Sequence, residues 1–398
     1  MKDGWQIKRI GEVCEVVNGG TPKTGIAAYW GGPHQWIAPA EMGKRISPYV
    51  DITHRTITDD GLRNSSARLL PSYSVILSCR APIGHLVINT EPMATNQGCK
   101  GLVPAESLDN KFLYYYLMNI VELLNDLGSG ATFKELSGSK LKEVDIPVPP
   151  LSEQQRIVAI LDEAFDGIST AKFNAEKNLQ RANAIFESHL NAVFTQKRDH
   201  WVDKRLGEIC ERVSVGHVGI TSEFYCSEAE GIPFLRSQNV RRGRLDLKGI
   251  RYITKEFHQR LRKSQLRAGD LLFVRVGANR GDCCSVPDVI EDINCANIVF
   301  ARPTDGNTKY LERYCDSTHG RKKLLGMTTG SAQGVINTSS VAELIVPLPP
   351  LREQRQIVAS LDRLNAETQR LESIYQRKLA ALDALKKSLL NQAFTGQL

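Results

Sequence analysis

The chain has 398 residues, 41% hydrophobic and 24% charged, with a formal net charge of +7. That composition excludes a disordered or fibrous protein and allows two or three domains with sizeable cores. No apolar run approaches the roughly 20 residues of a membrane helix, and Met1-Lys2-Asp3-Gly4-Trp5 does not open a signal peptide, so a cytoplasmic location is expected. Residues 1–198 are balanced in charge and the whole excess falls on residues 199–398, which is compatible with a nucleic-acid partner without demanding one. Nine cysteines with no Cys-x-x-Cys spacing predict reduced thiols, and no metal site is expected.

Taken in order, the chain opens on Trp5 followed by Lys8-Arg9-Ile10-Gly11-Glu12-Val13-Cys14-Glu15, and 196 residues later Trp201 precedes Lys204-Arg205-Leu206-Gly207-Glu208-Ile209-Cys210-Glu211. Asn18-Gly19-Gly20-Thr21-Pro22 reads as a loop. Short apolar runs bounded by Gly and Pro predict strands at Gln35–Ala38 and Ser74–Leu77, with counterparts at Pro233–Arg236 and Asp270–Phe273. Helical spacing of Phe112, Tyr115, Tyr116, Asn119, Ile120, Leu123 and Leu124 predicts one helix over Lys111–Leu127, with Leu311–Leu325 in the equivalent place. A Gly/Ser/Thr loop follows in each half, at Gly128–Thr132 and Thr329–Gly334. A last strand comes next, at Val144–Pro147 and Leu344–Pro347, and prolines stop it.

Pro149–Asp162 then recurs 200 residues on as Pro349–Asp362 with ten of fourteen positions identical, and the offset holds as far as Phe194-Thr195 and Phe394-Thr395. So strict a repeat implies that the length of the segment matters. Ser152 with Gln155 has capping-box spacing, so the first helix is expected from about Ser152. Ile157, Leu161, Ala164, Ile168, Ala171, Ala175, Leu179, Ala182, Phe186 and Val193 form a narrow apolar stripe on it. Ile357, Leu361, Leu364, Leu371, Tyr375, Leu382, Leu385 and Leu389 form one on the second. Such stripes predict coiled-coil seams, on rods of roughly 60 Å, packed antiparallel because each leaves an equivalent globular unit. The plainer reading, two long helices buried in a core, needs broader apolar faces. The expected fold is α+β: two pseudo-repeated β-rich mixed domains at 1–150 and 199–350, separated by helices at 151–198 and 351–398 that pair as an antiparallel coiled coil with internal pseudo-two-fold symmetry.

On these residues the chain resembles the DNA-specificity subunit of type I restriction–modification systems. The likeness covers the whole chain and is strongest in the Pro-Pro-Leu-x-Glu-Gln-x-x-Ile-Val runs at Pro149–Val158 and Pro349–Val358. Weaker signatures are Gly19-Gly20-Thr21-Pro22, Arg80-Ala81-Pro82-Ile83-Gly84, Asn96-Gln97-Gly98 and Gly130-Ala131-Thr132, and the second half departs from them with Arg275-Val276-Gly277-Ala278-Asn279. The resemblance implies that each globular domain is a target-recognition domain reading one half of a bipartite, asymmetric site in double-stranded DNA. It implies that the helices set the unread spacer and dock two modification subunits, which methylate adenine. A restriction subunit with translocase and nuclease activity joins them. S-adenosylmethionine, ATP and magnesium are then implied for those partners and no cofactor for this chain. Glu153, Gln154, Ile157, Leu161, Glu353, Gln354, Ile357 and Leu361 are the expected partner-binding residues.

Arginine can bridge guanine O6/N7, and Gln or Asn can bridge adenine N6/N7. Arg236, Gln238 and Asn239 behind a predicted strand are therefore candidate base readers, while Arg241, Arg242 and Arg244 suit phosphates. Arg275, Asn279 and Arg280 make a second patch and Gln333 a third. In the first domain the candidates are Lys44, Arg45, Arg80, Asn96, Gln97 and Lys134. For each the competing reading is a solvated charge or a turn residue. No Asn/Asp-Pro-Pro-aromatic run of the kind that adenine methyltransferases share and no phosphate-binding Gly-x-x-x-x-Gly-Lys-Ser/Thr run is found, so no chemistry is expected of this chain. The alternative function is a coiled-coil interaction scaffold without DNA specificity.

Overall fold

A computed structural model describes residues 4–130, 134–196, 198–288, 292–326 and 334–398. The chain divides into two compact units, Met1–Glu176 with Arg377–Leu398 and Lys177–Gln376. Both boundaries cut through the long helices rather than at the ends of the globular parts.

In unit 1 the first strand, β1 (Gln6–Arg9), pairs antiparallel with the last, Asp145–Val148, from Gln6↔Val148 to Arg9↔Asp145. Between them lie β2 (Cys14–Asn18), β3 (Trp30–Ile37), β4 (Tyr49–Val50), β5 (Arg55–Ile57), β6 (Val75–Cys79), β7 (Ile83–Asn89), β8 (Met93–Thr95) and β9 (Cys99–Pro104). The closing strand is β10. One sheet has the order β2-β9-β6-β7-β4, and a smaller one β5-β3-β8, in which β3 and β8 run parallel with Ile37 opposite Thr95. Every residue of β6 is buried, as a central strand covered on both faces demands.

The helix expected over Lys111–Leu127 is two helices, α1 (Asn110–Asn119) and α2 (Val121–Leu127), broken at Ile120 with φ −100° and ψ 16°. No glycine or proline marks that break. Asp109 caps α1, accepting from the Lys111 and Phe112 N–H groups.

Leu151–Thr195 is one helix of 45 residues, α3. It begins one residue before the expected Ser152. Its first turn is closed by the Pro150 carbonyl, which accepts from Glu153 N at 2.9 Å and Gln154 N at 3.1 Å. Within unit 1 its first half lies antiparallel to residues 377–398. Arg156 meets the Leu398 carbonyl (2.8 Å), Lys386 sits 4.8 Å over the Phe165 ring, and Lys172 pairs with Asp383. The stripe does more than form a seam. Ile157 and Leu161 are fully buried in the core with Leu390, Ala393 and Phe394, and Phe394 lies edge-on to Phe112 (5.1 Å) and Tyr116 (5.2 Å).

Unit 2 repeats this plan with β11 (Val202–Arg205), β12 (Cys210–Val215), β13 (Tyr225–Cys226), β14 (Ile232–Leu235), β15 (Val240–Arg241), β16 (Arg244–Leu245), β17 (Arg251–Ile253), β18 (Gln265–Leu266), β19 (Leu271–Val274), β20 (Cys283–Ser285), β21 (Ile293–Cys295), β22 (Ile298–Pro303) and β23 (Ile345–Leu348). Here β11 pairs with β23, one sheet is the four-stranded β12-β22-β19-β20, and the other is the five-stranded β13-β17-β14-β21-β18 with β14 parallel to β21. The hairpin β15–β16 has no counterpart among the described strands of unit 1. The second expected helix is again two, α4 (Thr308–Asp316) and α5 (Thr318–Gly326), broken at Ser317, whose ψ is 148°. Gly320 stands against the Tyr314 carbonyl, where a Cβ would fall at 2.1 Å, so the kink needs a glycine there.

Leu351–Thr395 is the second 45-residue helix, α6. In unit 2 Leu190 and Phe194 of α3 share a core with Val358 and Leu361 of α6, and Phe194 lies edge-on to Tyr310 and Tyr314. Two expected seam residues are turned outward instead: Leu371 is 39% and Leu385 46% exposed. Among the described residues no helix is long and apolar enough to cross a membrane.

Candidate nucleic-acid interface

In unit 1 the ends of β2, β3, β6 and β8 bring their loops to one place. Backbone bonds Gly19 N→Cys99 O (3.1 Å), Gly20 N→Thr95 O (2.8 Å) and Asn96 N→Ile37 O (2.8 Å) join the first, second and fourth, and Cys79 N→Gly98 O (2.7 Å) adds the third. Glycine is required at 19 and 20, since a Cβ would lie 2.0 Å from the Asn96 carbonyl oxygen and 2.2 Å from Ala67 N. Two tryptophans hold the loop that starts there: Trp36 Nε1 donates to the Gly20 carbonyl (2.9 Å) and Trp30 Nε1 to that of Lys23 (3.4 Å). Arg55 lies 3.6 Å over the Trp30 ring and 5.3 Å from that of Trp36, its guanidinium exposed.

On this frame Thr21, Asn96 and Gln97 form a closed hydrogen-bonded set. Arg80 approaches Glu135 (3.6 Å), and Arg80 Cβ lies 3.8 Å from where a Cβ on Gly98 would be, so Arg80, Asn96 and Gln97 are brought together as expected. Lys134 reaches the Asn125 carbonyl at 3.4 Å, and Lys44 is exposed with no side-chain partner among the described residues. Arg45 differs. It is spent on Glu41 (2.8 Å) and the Ile52 carbonyl, which makes it a loop brace rather than a DNA contact.

Lys100, Trp30, Trp36 and Arg55 were not legible as site residues. Lys100 is 7% exposed on β9, and its ammonium has no acceptor among the described residues. The missing Cβ of Gly138 faces both Asn18 Oδ1 and Lys100 Cε. An unneutralised cation with a buried stem at a loop rim suits a phosphate. The signal was present, a lysine in a strand otherwise made of Cys, Gly, Leu, Val and Pro. The thiols behind it are not nucleophiles: burial pushes Cys79 up to about 12, and Cys99 is raised further by the same cause.

The corresponding loops of unit 2 meet in the same way, with Gly216 N→Ile298 O (2.8 Å), His217 N→Cys295 O (2.8 Å), Ala296 N→Leu235 O (2.9 Å) and Ser237 Oγ→Asn297 O (3.1 Å). Arg236 and Gln238 are brought together, both donating weakly to the Gly249 carbonyl at 3.4 Å. Arg244 and Asn279 are exposed and their side chains have no partner among the described residues, Arg275 reaches the Ile336 carbonyl (3.3 Å) and Arg280 that of Gly334.

Three candidates of this cluster are bound within the protein. Asn239 is fully buried, accepting from Arg236 N (3.0 Å) and donating to the Asp246 carbonyl (2.9 Å), so it is a turn lock and not a base reader. Arg241 donates to the Val240 carbonyl (2.9 Å). Arg242, though exposed, is bound to Glu187 of α3 (2.9 Å) and to the Asp316 carbonyl (3.0 Å), next to Gly243 at φ +67°. Gln333 lies outside the described residues.

The residues expected to meet partner subunits are consumed within the units. Gln154 is fully buried, accepting from Asp109 N (2.8 Å) and donating to the carbonyls of Ser107 (2.9 Å) and Pro149 (2.8 Å). Gln354, 3% exposed, accepts from Asn307 N and donates to the Pro349 carbonyl, both at 2.8 Å. Ile157 and Leu161 are fully buried in the core of unit 1, Leu361 is fully buried in that of unit 2, and Ile357 packs on the latter. Glu153 holds Arg156 (2.7 Å). Glu353 takes Arg198 (2.8 Å), His200 (2.7 Å) and Trp201 (3.3 Å), and His200 above all draws its carboxyl below the usual range. Seven of these side chains fasten a globular part to its helix, which corrects their assignment as a partner-facing surface, while Glu153 pairs with Arg156 of its own helix.

Two equivalent units with polar loop ends on a shared frame match a described family twice over: the profile of the type I restriction modification DNA specificity domain fits residues 2–180 and again 198–378. The chain belongs to that family. It is 34% identical over 255 residues to the MjaIX specificity subunit of Methanocaldococcus jannaschii, spanning 60% of this chain and 59% of that relative. With the EcoKI specificity subunit of Escherichia coli it shares 24% identity over an alignment of 424 residues, covering 100% of this chain and 90% of the relative. Its fold is that of the HsdS subunit from Thermoanaerobacter tengcongensis (TM-score 0.64, 21% identity, 100% and 98% covered). A solved chain from work on assembly and conformational transition of the type I R-M system superposes with TM-score 0.81 at 21% identity, covering 100% and 99%. As a member of the specificity family the chain is a DNA-recognition subunit and not itself a catalyst.

Proposed function

We propose that each unit of this specificity subunit reads one half of a bipartite, asymmetric target in double-stranded DNA. The observation that carries this is the pair of loop clusters. Both rest on equivalent strand ends, yet Gln97, Arg80 and Lys134 of unit 1 are answered in unit 2 by Gln238, Arg275 and Asn279. One frame with two sets of donors suits two different half-sites. Lys100, Lys44 and Arg244, cations without acceptors among the described residues, suit the phosphates that hold register.

The equal 45-residue helices fix how much unread DNA lies between the half-sites. One added turn in each helix shifts a reader by about 5.4 Å, more than a base-pair step. Two modification subunits methylating adenine with S-adenosylmethionine, and a restriction subunit using ATP and magnesium, complete the assembly in the cytoplasm. The surfaces open to them are the exposed apolar positions of the helices, Phe173, Ile185, Leu371 and Ile374 among them. The test is base-by-base mapping of methylation made by the full chain with its modification subunits. Two short sequences at a constant gap are expected; methylation without sequence preference would leave the chain a scaffold.

A further inference from the structure

The hydrogen bonds joining Thr21, Asn96 and Gln97 have a polarity that one group settles. The Gly98 backbone N–H can only donate, and it donates to Asn96 Oδ1 at 2.8 Å. That distinguishes the two ends of the Asn96 amide. Its Nδ2 therefore faces the other way, donating to Thr21 Oγ1 at 2.9 Å and to Gln97 Oε1 at 3.2 Å. The Thr21 hydroxyl, accepting from Asn96, turns its own hydrogen onto Gln97 Oε1. An amide oxygen has two lone pairs, and both of those on Gln97 are now occupied. Its Nε2 has no partner among the described residues, and the side chain is exposed.

A free glutamine recognises adenine by accepting from N6 and donating to N7. Gln97 has no acceptor left to offer. It presents two N–H hydrogens and nothing else. In the major groove guanine alone shows two acceptors, N7 and O6. Thymine shows one, O4; adenine shows one, N7, with an amino donor beside it that opposes the second N–H, and cytosine shows only an amino donor. We propose that Gln97 is a specificity-determining residue of unit 1, locked as a donor by Thr21 and Asn96, that selects guanine, accepts thymine less well and rejects adenine and cytosine. This deepens the half-site reading above and rests on it. Asn96 and Thr21 are positioning residues: their polar groups are spent on Gln97, on each other and on the Gly98 N–H. Glutamate at position 97 inverts the chemistry, keeping one oxygen for Thr21 and Asn96 and turning the other outward as an acceptor suited to cytosine N4.

The test maps the target of the full chain, assembled with its modification subunits, for wild type, Gln97→Ala, Gln97→Glu and Thr21→Val. One position of one half-site should be guanine or thymine in the wild type. There Gln97→Ala should lower discrimination about ten-fold and leave every other position unchanged. Gln97→Glu should move the preference to cytosine or adenine, and Thr21→Val, which frees a lone pair on Gln97, should admit adenine. For a guanine position, 7-deazaguanine should weaken wild-type binding and not that of Gln97→Ala. Intact half-sites with no position altered by Gln97→Ala overturn the role of Gln97 while leaving the half-site reading in place. Adenine or cytosine at the Gln97-dependent position overturns the donor lock. A wild-type assembly with no sequence preference overturns both readings.

Discussion

The two units differ least where a globular part meets a helix and most where it meets solvent or its own sheet interior. At the junction the chemistry repeats almost atom for atom. Gln154 and Gln354 each accept from the backbone N–H at a helix cap and donate to the proline carbonyl that starts their own helix. Tyr116 and Tyr314 each donate to the carbonyl at the first residue of the closing strand. Phe394 and Phe194, from the far ends of the opposite helices, pack on equivalent aromatic pairs. Inside the sheets the units part company. Unit 2 buries a bidentate pair, Arg302 with Asp270, both contacts at 2.8 Å, where unit 1 has Val103 and Ser74. The joint is held constant so that the readers it carries can vary.

The sharpest way to break this comparison is to remove one partner of the buried pair. Asp270→Asn leaves Arg302, 9% exposed, without its counter-charge and should cost about 3–5 kcal/mol, read by chemical denaturation as loss of unit 2 before unit 1. The double change Asp270→Ser with Arg302→Val, which installs the residues of unit 1, should recover much of that loss. Next in size come the two glutamines. Gln154→Ala or Gln354→Ala strands a buried N–H and at least one buried carbonyl, so each should cost about 2 kcal/mol, in unit 1 and unit 2 respectively. Equal losses would support a shared joint; a loss in only one unit would show that the two fastenings are unalike.

Much of this architecture was legible because it rests on periodicity and exact duplication. Segment lengths, the positions of β6, β10, β14, β19 and β23, and the antiparallel sense of the helix pairing within each unit follow from the 196- and 200-residue offsets. The parallel pairs β3–β8 and β14–β21 were not legible, since short strands carry no record of their partners. Nor were the breaks at Ile120 and Ser317, where tertiary packing overrides continuous helical spacing. At the site, residue type named Gln97, Arg80 and Gln238 but could not say which polar groups are already spent. Asn239, Arg242 and Gln154 share composition with true readers and differ only in what their own backbone offers them. Lys100 was hidden by its place in a strand, and Gln97 gave no hint that its oxygen is locked.

Unit 2 carries a further difference with a pH signature. Asp316 ends α4 almost completely buried, with one carboxylate oxygen unpartnered. Burial first, then the neighbouring charges of Glu312 and Asp282, raise its carboxyl well above the usual range, against the opposing pull of Arg242 and Arg313. A raised native pKa adds stability that is fully present below the unfolded value and is lost as pH rises through the native one. Asp316→Asn should therefore stabilise unit 2 at neutral pH by about 1 kcal/mol and flatten its decline with rising pH. Denaturation midpoints taken across the range from acid to neutral check this; a variant that tracks the wild type throughout would show that Asp316 is neutralised by its arginines.

The smallest expected effect tests a junction contact whose chemistry differs between the units. Asp162 on α3 accepts from Tyr115 and pairs with Lys111 at 2.6 Å, whereas Asp362 on α6 pairs with Arg313 at 2.8 Å. Tyr115 and Arg313 occupy equivalent places on α1 and α4, so the aspartate that follows the buried Leu161 or Leu361 is met by a neutral donor in one unit and a cation in the other. Both carboxylates are partly open to water, which caps the value of each pair near 1 kcal/mol. Asparagine at either position keeps an oxygen for its donor and loses only the charge. Asp362→Asn should therefore lose its cost as salt is raised, while Asp162→Asn should keep the part that comes from lengthening the Tyr115 bond. Equal salt dependence in the two variants would mean that Lys111, and not Tyr115, is what Asp162 holds.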